Sequence, residues 1–197
     1  MSRSTVNGRY GVTAIVTGLA RTRLPTAVDA VRCKWPFDAG AKWVYREATS
    51  SSTIVGVNIT ELDDESTALA FDTMRELRPH LTSADAFVAA VRIQRKEGYR
   101  LVASLDADGR VAAVAGFRPL TNLYAGSHLY IDDLTTLSTA RKQGHAGALL
   151  RWVDEEARRL GCVGVHLDSG THRHDAHRLY LGSGYVIPAF HFAKVVD

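Results

Sequence analysis

The sequence is poor in cysteine and contains no long apolar run. Its 197 residues include only two cysteines, Cys33 and Cys162, which cannot form a disulfide framework and are not spaced as metal ligands. This usage fits a reducing compartment, and we expect a cytoplasmic protein. No run of 18 apolar residues occurs, so the sequence predicts no membrane-spanning helix and no membrane partner.

The body of the chain also lacks an excess of positive charge. The formal net charge is +3, but residues 1–53 contain 8 Lys/Arg and 3 Asp/Glu, whereas residues 54–197 contain 16 and 18. A nucleic-acid footprint would be a basic patch on the folded body, so we expect no nucleic-acid partner. The alternative is a nucleic-acid module that uses the basic N-terminal segment. It predicts salt-dependent binding that is lost when residues 1–53 are deleted.

Two regions follow from the composition. Residues 1–53 are rich in Arg, Ser, Thr and Ala, show no convincing periodicity and end in TSSST, which predicts a poorly ordered extension. A targeting segment, a disordered tail and a start codon assigned too early all fit this stretch. Residues 54–197 show clear periodicity and predict one folded domain.

The periodic region predicts the order β-α-α-β-β-β-α-β-α-β. Thr82 and Asp85 have the spacing of a capping box before the second helix, and the Asp108-Gly109 pair predicts a hairpin turn. Strands in a meander followed by a β-α-β unit predict an α/β fold with a mixed sheet, antiparallel first and parallel where the long helix crosses over. The predicted strands are 54–60, 99–105, 110–120, 127–137, 163–169 and 185–196. The predicted helices are 67–80, 86–98, 141–160, with its first turn at 141–147, and 175–183.

The segment RKQGHAG, residues 141–147, places two glycines where a helix begins. Glycine weakens a helix there, but a bare backbone lets an anion approach the free N–H groups and the positive end of the helix dipole. Arg141 and Lys142 would add attraction for a phosphate. An ordinary turn with glycine for packing is the alternative. The segment has neither the Walker pattern nor the dinucleotide pattern G-x-G-x-x-G.

Three motifs together resemble the GNAT superfamily of acyl-CoA-dependent N-acetyltransferases. R-x-x-G-x-A, from Arg141 to Ala146, resembles its pyrophosphate loop, with alanine where a second glycine is commoner. The segment from Ala176 to Tyr185 resembles its A-x-x-x-Y-x-x-x-G-[FY] block, and IDDLTTL resembles its central strand. The resemblance covers roughly residues 54–197. It implies a mostly antiparallel mixed sheet with helices on both faces and a β-α-β acyl-CoA-binding core, and it suggests a homodimer.

The resemblance implies an acyltransferase that moves an acetyl group from acetyl-CoA to a primary amine of a small molecule or peptide, with no metal. The strand ending in Leu134–Leu137 would splay from its neighbour at a bulge and pair with the pantetheine arm. The residues implied in acetyl-CoA binding are Leu134, Thr135, Thr136, Leu137, Arg141, Lys142, Gln143, Gly144, His145, Ala146 and Gly147. A non-catalytic acyl-CoA-binding regulator on the same fold is the alternative.

Catalytic roles are implied for three residues. Tyr180 would donate a proton to the CoA thiolate, although it could instead pack its ring with the hydroxyl toward water. Asp132 or Asp133, directly or through water, would deprotonate the amine. Neighbours on a strand point to opposite faces, so we expect the two aspartates to diverge. Asp168 and His166 could line the acceptor cleft, although structural roles are expected. The histidines around position 174 have no usual zinc partner close in sequence.

Overall fold

The computed structural model describes residues 57–196, which form a five-stranded sheet and four α-helices. The predicted extension and the start of the first predicted strand lie outside these residues. In chain order the elements are β1 (Asn58–Leu62), α1 (Phe71–Leu77), α2 (Ala84–Arg95), β2 (Arg100–Leu105), β3 (Val111–Asn122), β4 (Gly126–Thr136), α3 (His145–Arg159), β5 (Val165–Leu167) and α4 (His174–Gly182). Short 3-10 turns at Thr67–Ala70 and Ser138–Ala140 precede α1 and α3.

The strands lie in the sheet in sequence order, β1-β2-β3-β4-β5. The first four strands pair antiparallel, and β5 pairs parallel to β4. A hairpin turn joins β2 to β3, with Gly109 at a φ of 78°. A parallel pair needs a crossover, and α3 supplies it. The predicted mixed sheet is therefore confirmed.

Helices cover both faces of the sheet, because the side chains of the central strands alternate between two cores. Leu101 and Ala103 of β2 pack with Met74 of α1 and Phe87 of α2. Val102, between them, packs on the opposite face with residues of α3. Both faces of β2 are buried, which explains why its sequence is apolar at most positions. Within residues 57–196, no helix is long and apolar enough to cross a membrane.

Two local predictions about the first helices are wrong. The predicted helix over 67–80 is a 3-10 turn followed by α1, which ends at Leu77, two residues before Pro79. The cap of α2 is Ser83 and not Thr82. Ser83 has extended φ and ψ, and its hydroxyl accepts a hydrogen bond from Ala86 N at 3.1 Å, whereas a cap at Thr82 would start the helix one residue earlier.

The final predicted strand is also wrong. Residues 185–196 have apolar β-formers, but the structure assigns no strand there. Pro188 lacks the N–H that a sheet ladder needs, and β5 offers only three residues as a neighbour. The apolar side chains of this segment are largely exposed, including Phe190 and Phe192.

Candidate active site

The centre of the site is a bulge in β4 at Asp132. Gly116 of β3 is opposite Asp133, and the next residue, Phe117, is opposite Ile131, so Asp132 is the extra residue on β4. At a bulge, the alternation of side chains between the two faces of a strand is interrupted. Asp132 and Asp133 therefore both reach the polar groups on the α1–α2 face, and the prediction that they diverge is wrong.

Asp133 is buried and anchored by two donors. Its carboxylate accepts a hydrogen bond from the Tyr99 hydroxyl at 3.0 Å and one from Arg78 Nε at 2.8 Å. The Tyr99 ring lies against Gly116, where an added Cβ would be 1.8 Å from the Tyr99 oxygen. Glycine is therefore required at 116 to admit the ring. Burial and the neighbouring Asp133 charge raise the pKa of Tyr99 well above its ordinary range, so it remains a donor.

Asp132 is less buried and pairs with a different arginine. Its carboxylate accepts a hydrogen bond from Arg118 Nε at 2.8 Å, and Arg78 Nη2 donates to its backbone carbonyl at 3.1 Å. The Arg118 guanidinium also stacks over the Tyr99 ring at 5.6 Å. Burial raises the pKa of the Asp132 carboxyl, and the Arg118 charge opposes that rise. The two aspartates and two arginines form a compact, charge-balanced cluster.

Sequence reasoning did not identify three members of this cluster, Arg78, Tyr99 and Arg118. Arg78 follows α1, and Tyr99 follows the glycine that closes α2, where neither stands out. Arg118 gave a usable signal, because a charged residue beside buried Phe117 in a central strand needs a partner.

β4 and β5 separate just beyond the bulge. Their last register pair is Ile131 with Leu167, whereas β4 continues to Thr136 and stays paired to β3. From Asp132 to Thr136 the backbone of β4 thus has no strand partner on the β5 side, where an extended ligand could pair. The carbonyls at the two ends of this stretch accept hydrogen bonds from Arg78 and Arg141. Thr135 and Thr136 are half-buried, Leu134 packs on the α3 face, and Leu137 N donates to Ala112 O at 2.8 Å.

The turn that begins α3 follows this open edge. Gly144 caps the helix at a φ of 91°, and Lys142 has a φ of 62°, so the turn is tightly wound. The first backbone bond of this turn is donated by Ala148 N to Gly144 O at 2.9 Å, which leaves the N–H groups before it directed outward. Outward N–H groups at a helix start favour the binding of an anion. The Gln143 amide donates to Thr139 O at 3.2 Å and braces the turn.

The side chains of this turn do not all face the same way. Buried His145 contacts the Ser104 hydroxyl through Nδ1 at 2.8 Å, so only its backbone faces the turn. Ala146 and Gly147 are half-buried, and Lys142 is exposed. Arg141 Nη2 donates to Glu76 at 3.0 Å, and Glu76 also accepts from Ser138 N at 3.0 Å. These hydrogen bonds and the Arg141 charge lower the pKa of the Glu76 carboxyl. Through Glu76, α1 is linked to the turn.

Tyr180 lies on α4 beside the gap between β4 and β5. Its ring packs on the α3-side core and lies 5.8 Å from the Tyr185 ring. Burial raises its pKa, and the charge of Arg173 opposes this. The hydroxyl is therefore protonated at neutral pH. Tyr180 lines both a cavity of about 150 Å³ in the gap and the larger cleft of about 1430 Å³.

The large cleft also contains His166 and Asp168, which lie on the same edge of the sheet. The Asp168 carboxylate accepts a hydrogen bond from the Tyr130 hydroxyl and contacts His191 Nδ1 at 2.9 Å. Burial lowers the pKa of His166, and nearby His128 adds to that effect. In the part of the chain that the structure describes, no group of three or more His, Cys, Asp or Glu side chains could hold a metal ion.

Comparisons with known proteins agree with this geometry. The family model for the acetyltransferase (GNAT) family matches residues 60–185. The uncharacterized N-acetyltransferase YhdJ of Bacillus subtilis (strain 168) is 34% identical over 133 residues, which cover 67% of this chain and 93% of that protein. The aminoalkylphosphonate N-acetyltransferase of Salmonella typhimurium is 29% identical over 138 residues, covering 70% and 87%.

A solved structure shares the fold. It is AAC(6')-Iy in complex with the bisubstrate analogue CoA-S-monomethyl-acetylneamine, with a TM-score of 0.63 and 12% identity. The match covers 72% of this chain and 99% of that one. Members of the family use acetyl-CoA, and relatives named N-acetyltransferases support an enzyme over a non-catalytic regulator. The chain belongs to the GNAT family of acetyltransferases.

Proposed function

We propose that the protein transfers the acetyl group of acetyl-CoA directly to a primary amine of a small molecule or peptide. The observation that carries this proposal is the gap between β4 and β5 beyond Ile131. The turn that begins α3 follows one end of the open β4 edge, and Tyr180 lines the gap. For acetyl-CoA with its thioester in the gap, the turn that begins α3 would bind the phosphates, and Tyr180 would be the proton donor.

The chain's own residues suit acetyl-CoA. The turn from Arg141 to Gly147 would receive the pyrophosphate, because it offers outward N–H groups, the helix dipole and two cations. The edge from Leu134 to Leu137 would pair with the pantetheine arm as an added strand. The hydrogen bonds that Glu76 accepts from Ser138 and Arg141 would hold this turn against α1.

The reaction needs no covalent enzyme intermediate. An ammonium group loses one proton to a base, its nitrogen attacks the thioester carbonyl, and the C–S bond breaks as the amide forms. The second N–H proton is lost with amide formation, and the thiolate takes one proton, so the net reaction releases one proton. Tyr180 would supply the proton to sulfur, and a basic group in the cleft would accept the proton of the ammonium. Holding amine and thioester together is the main contribution of the protein.

Substitution of Tyr180 by phenylalanine tests the proposal. Full-length protein is assayed for thiol release from acetyl-CoA with 2-aminoethylphosphonate, neamine and a peptide with a free N-terminus, and products are identified by mass spectrometry. Burial raises the pKa of Tyr180, so the hydroxyl would keep its proton until the CoA thiolate forms next to it. We expect kcat to decrease roughly 10²-fold and CoA affinity to change little.

Tyr124→Phe is the matched control, because Tyr124 lies in the β3–β4 turn and does not line the cleft. Its turnover should equal that of the wild type. A wild-type kcat for Tyr180→Phe, with chemistry shown to be rate-limiting, would contradict the general-acid role. The absence of acetylated product with every amine would contradict the proposed acceptor class.

A further inference from the structure

A carboxylate, an imidazole and a phenol meet at the end of β5. Asp168 Oδ2 is 2.9 Å from His191 Nδ1 and accepts a hydrogen bond from the Tyr130 hydroxyl. The Asp168 and His191 side chains are 51% and 64% exposed, so a solute can reach them. A carboxylate at Nδ1 favours the tautomer with its proton there. The other nitrogen, Nε2, then keeps a lone pair that can accept a proton.

The position of this pair coincides with the expected site of reaction. Asp168 lines both the large cleft and the small cavity in the β4–β5 gap, as do Asp132 and Tyr180. Residues shared by the two cavities mark the point where an amine in the cleft would meet a thioester in the gap. His191 lines the cleft at this point through its contact with Asp168.

The two aspartates of the bulge are less suited to accept a proton. Asp133 is 8% exposed and accepts hydrogen bonds from Tyr99 and Arg78. Burial raises the pKa of Asp132, but its carboxylate is paired with Arg118, and a proton on it would weaken that ion pair. An imidazole whose Nδ1 is held by a carboxylate has its other nitrogen available to accept a proton, and histidine is the side chain that most often acts as a general base.

We propose that His191 is the general base of the reaction and that Asp168 is the positioning residue that orients its imidazole. This inference rests on the proposed function. His191 Nε2 takes one proton from the acceptor ammonium, and the freed nitrogen lone pair attacks the thioester carbonyl. The imidazolium then returns its proton to solvent. The C–S bond breaks as the amide forms, and the thiolate takes the proton of Tyr180. The second N–H proton of the amine is lost with amide formation and reprotonates the Tyr180 phenolate through solvent.

Other ionisable groups line the same cleft. They include Arg78, His80, Tyr130, Asp132, Asp133 and His166, together with Asp154 and Arg158 of α3 and His177 of α4. Asp168 is the one whose contact with His191 is direct.

The experiment measures kcat/KM from about pH 5.5 to about pH 9.5 on full-length protein, with the amine of the panel that the wild type acetylates. His191→Gln should lower kcat/KM roughly 10²-fold and abolish the acid limb attributed to the imidazole, with CoA affinity unchanged. Added imidazole should partly restore His191→Ala. Asp168→Asn should lower kcat by a smaller factor and leave KM unchanged, because the imidazole remains but loses the group that orients it. His172→Gln, an exposed histidine outside the cleft, is the matched control.

The outcomes separate this inference from the proposed function. If the wild type acetylates an amine but His191→Gln keeps its rate and its acid limb, the base lies elsewhere and the inference is wrong. If His191→Gln is slow but imidazole does not restore His191→Ala and the acid limb persists, His191 has a structural role, which also overturns the inference. If the wild type acetylates none of the amines, the proposed function fails, and the inference fails with it.

Discussion

Removing the Tyr99 hydroxyl tests whether the buried cluster of β4 stabilises the fold. Tyr99→Phe deletes the donor that lies 3.0 Å from the Asp133 carboxylate, in a site where Tyr99 is 3% exposed and Asp133 8%. The ring, its contact with Gly116 and the stacked Arg118 remain. The change therefore isolates one hydrogen bond to a buried charge.

Its magnitude follows from the kind of bond that is lost. A hydrogen bond to a charged group contributes about 1.5–3 kcal/mol, and Asp133 would keep only Arg78 as a donor. The folding equilibrium should weaken by about tenfold to a hundredfold. With a urea m-value of about 1–3 kcal/mol/M, the midpoint of unfolding should decrease by about 1 M with an unchanged slope.

Tyr185→Phe is the control, because it removes the same atom from a different environment. The Tyr185 hydroxyl is buried and has no hydrogen-bond partner among residues 57–196. Deleting an unsatisfied hydroxyl should leave stability unchanged or raise it slightly. Equal free energies of unfolding for Tyr99→Phe and the wild type would refute the argument. So would an equal loss in the two variants, which would point to ring packing and not to the bond with Asp133.

Two further predictions concern α3. Gly144→Val should lower CoA affinity, measured by calorimetry, far more than affinity for a truncated pantetheine analogue. Gly144 has a φ of 91°, which is strained for valine, and in the proposed pyrophosphate site a phosphate would approach its backbone. Equal losses would indicate a misfolded helix start. Hydrogen bonds from Arg159 and Arg100 lower the pKa of Glu156 from 4.5 to about 2. Its folded pKa is depressed, so the stability it contributes is present above about pH 4.5 and lost as the pH falls toward 2. Unfolding free energies measured across this range should decrease less steeply in Glu156→Gln than in the wild type, and identical slopes would contradict the assignment.

Local sequence signals predicted most of the fold, because each depends on neighbouring residues alone. The glycines at 109 and 144 mark turns that need positive φ, and both have it. The long helix predicted from the sequence has Leu149, Leu150 and Val153 at helical spacing, and these three side chains are buried on one face of α3. Where two local signals competed, as between Thr82 and Ser83 at the start of α2, the pattern gave the wrong cap.

The sequence by itself determined which family this chain belongs to, since the loop from Arg141 to Ala146 and the block ending at Tyr185 are contiguous motifs whose spacing is visible without a structure. Only the tertiary structure decided the surroundings of the acidic pair. The bulge at Asp132 depends on how β3 and β4 pair, and it brings Arg78, Tyr99 and Arg118 to the two carboxylates. Asp168 and His191 are also far apart in the sequence and meet only in the folded chain. Contacts between residues so far apart depend on register and packing of the whole sheet, which local periodicity does not encode.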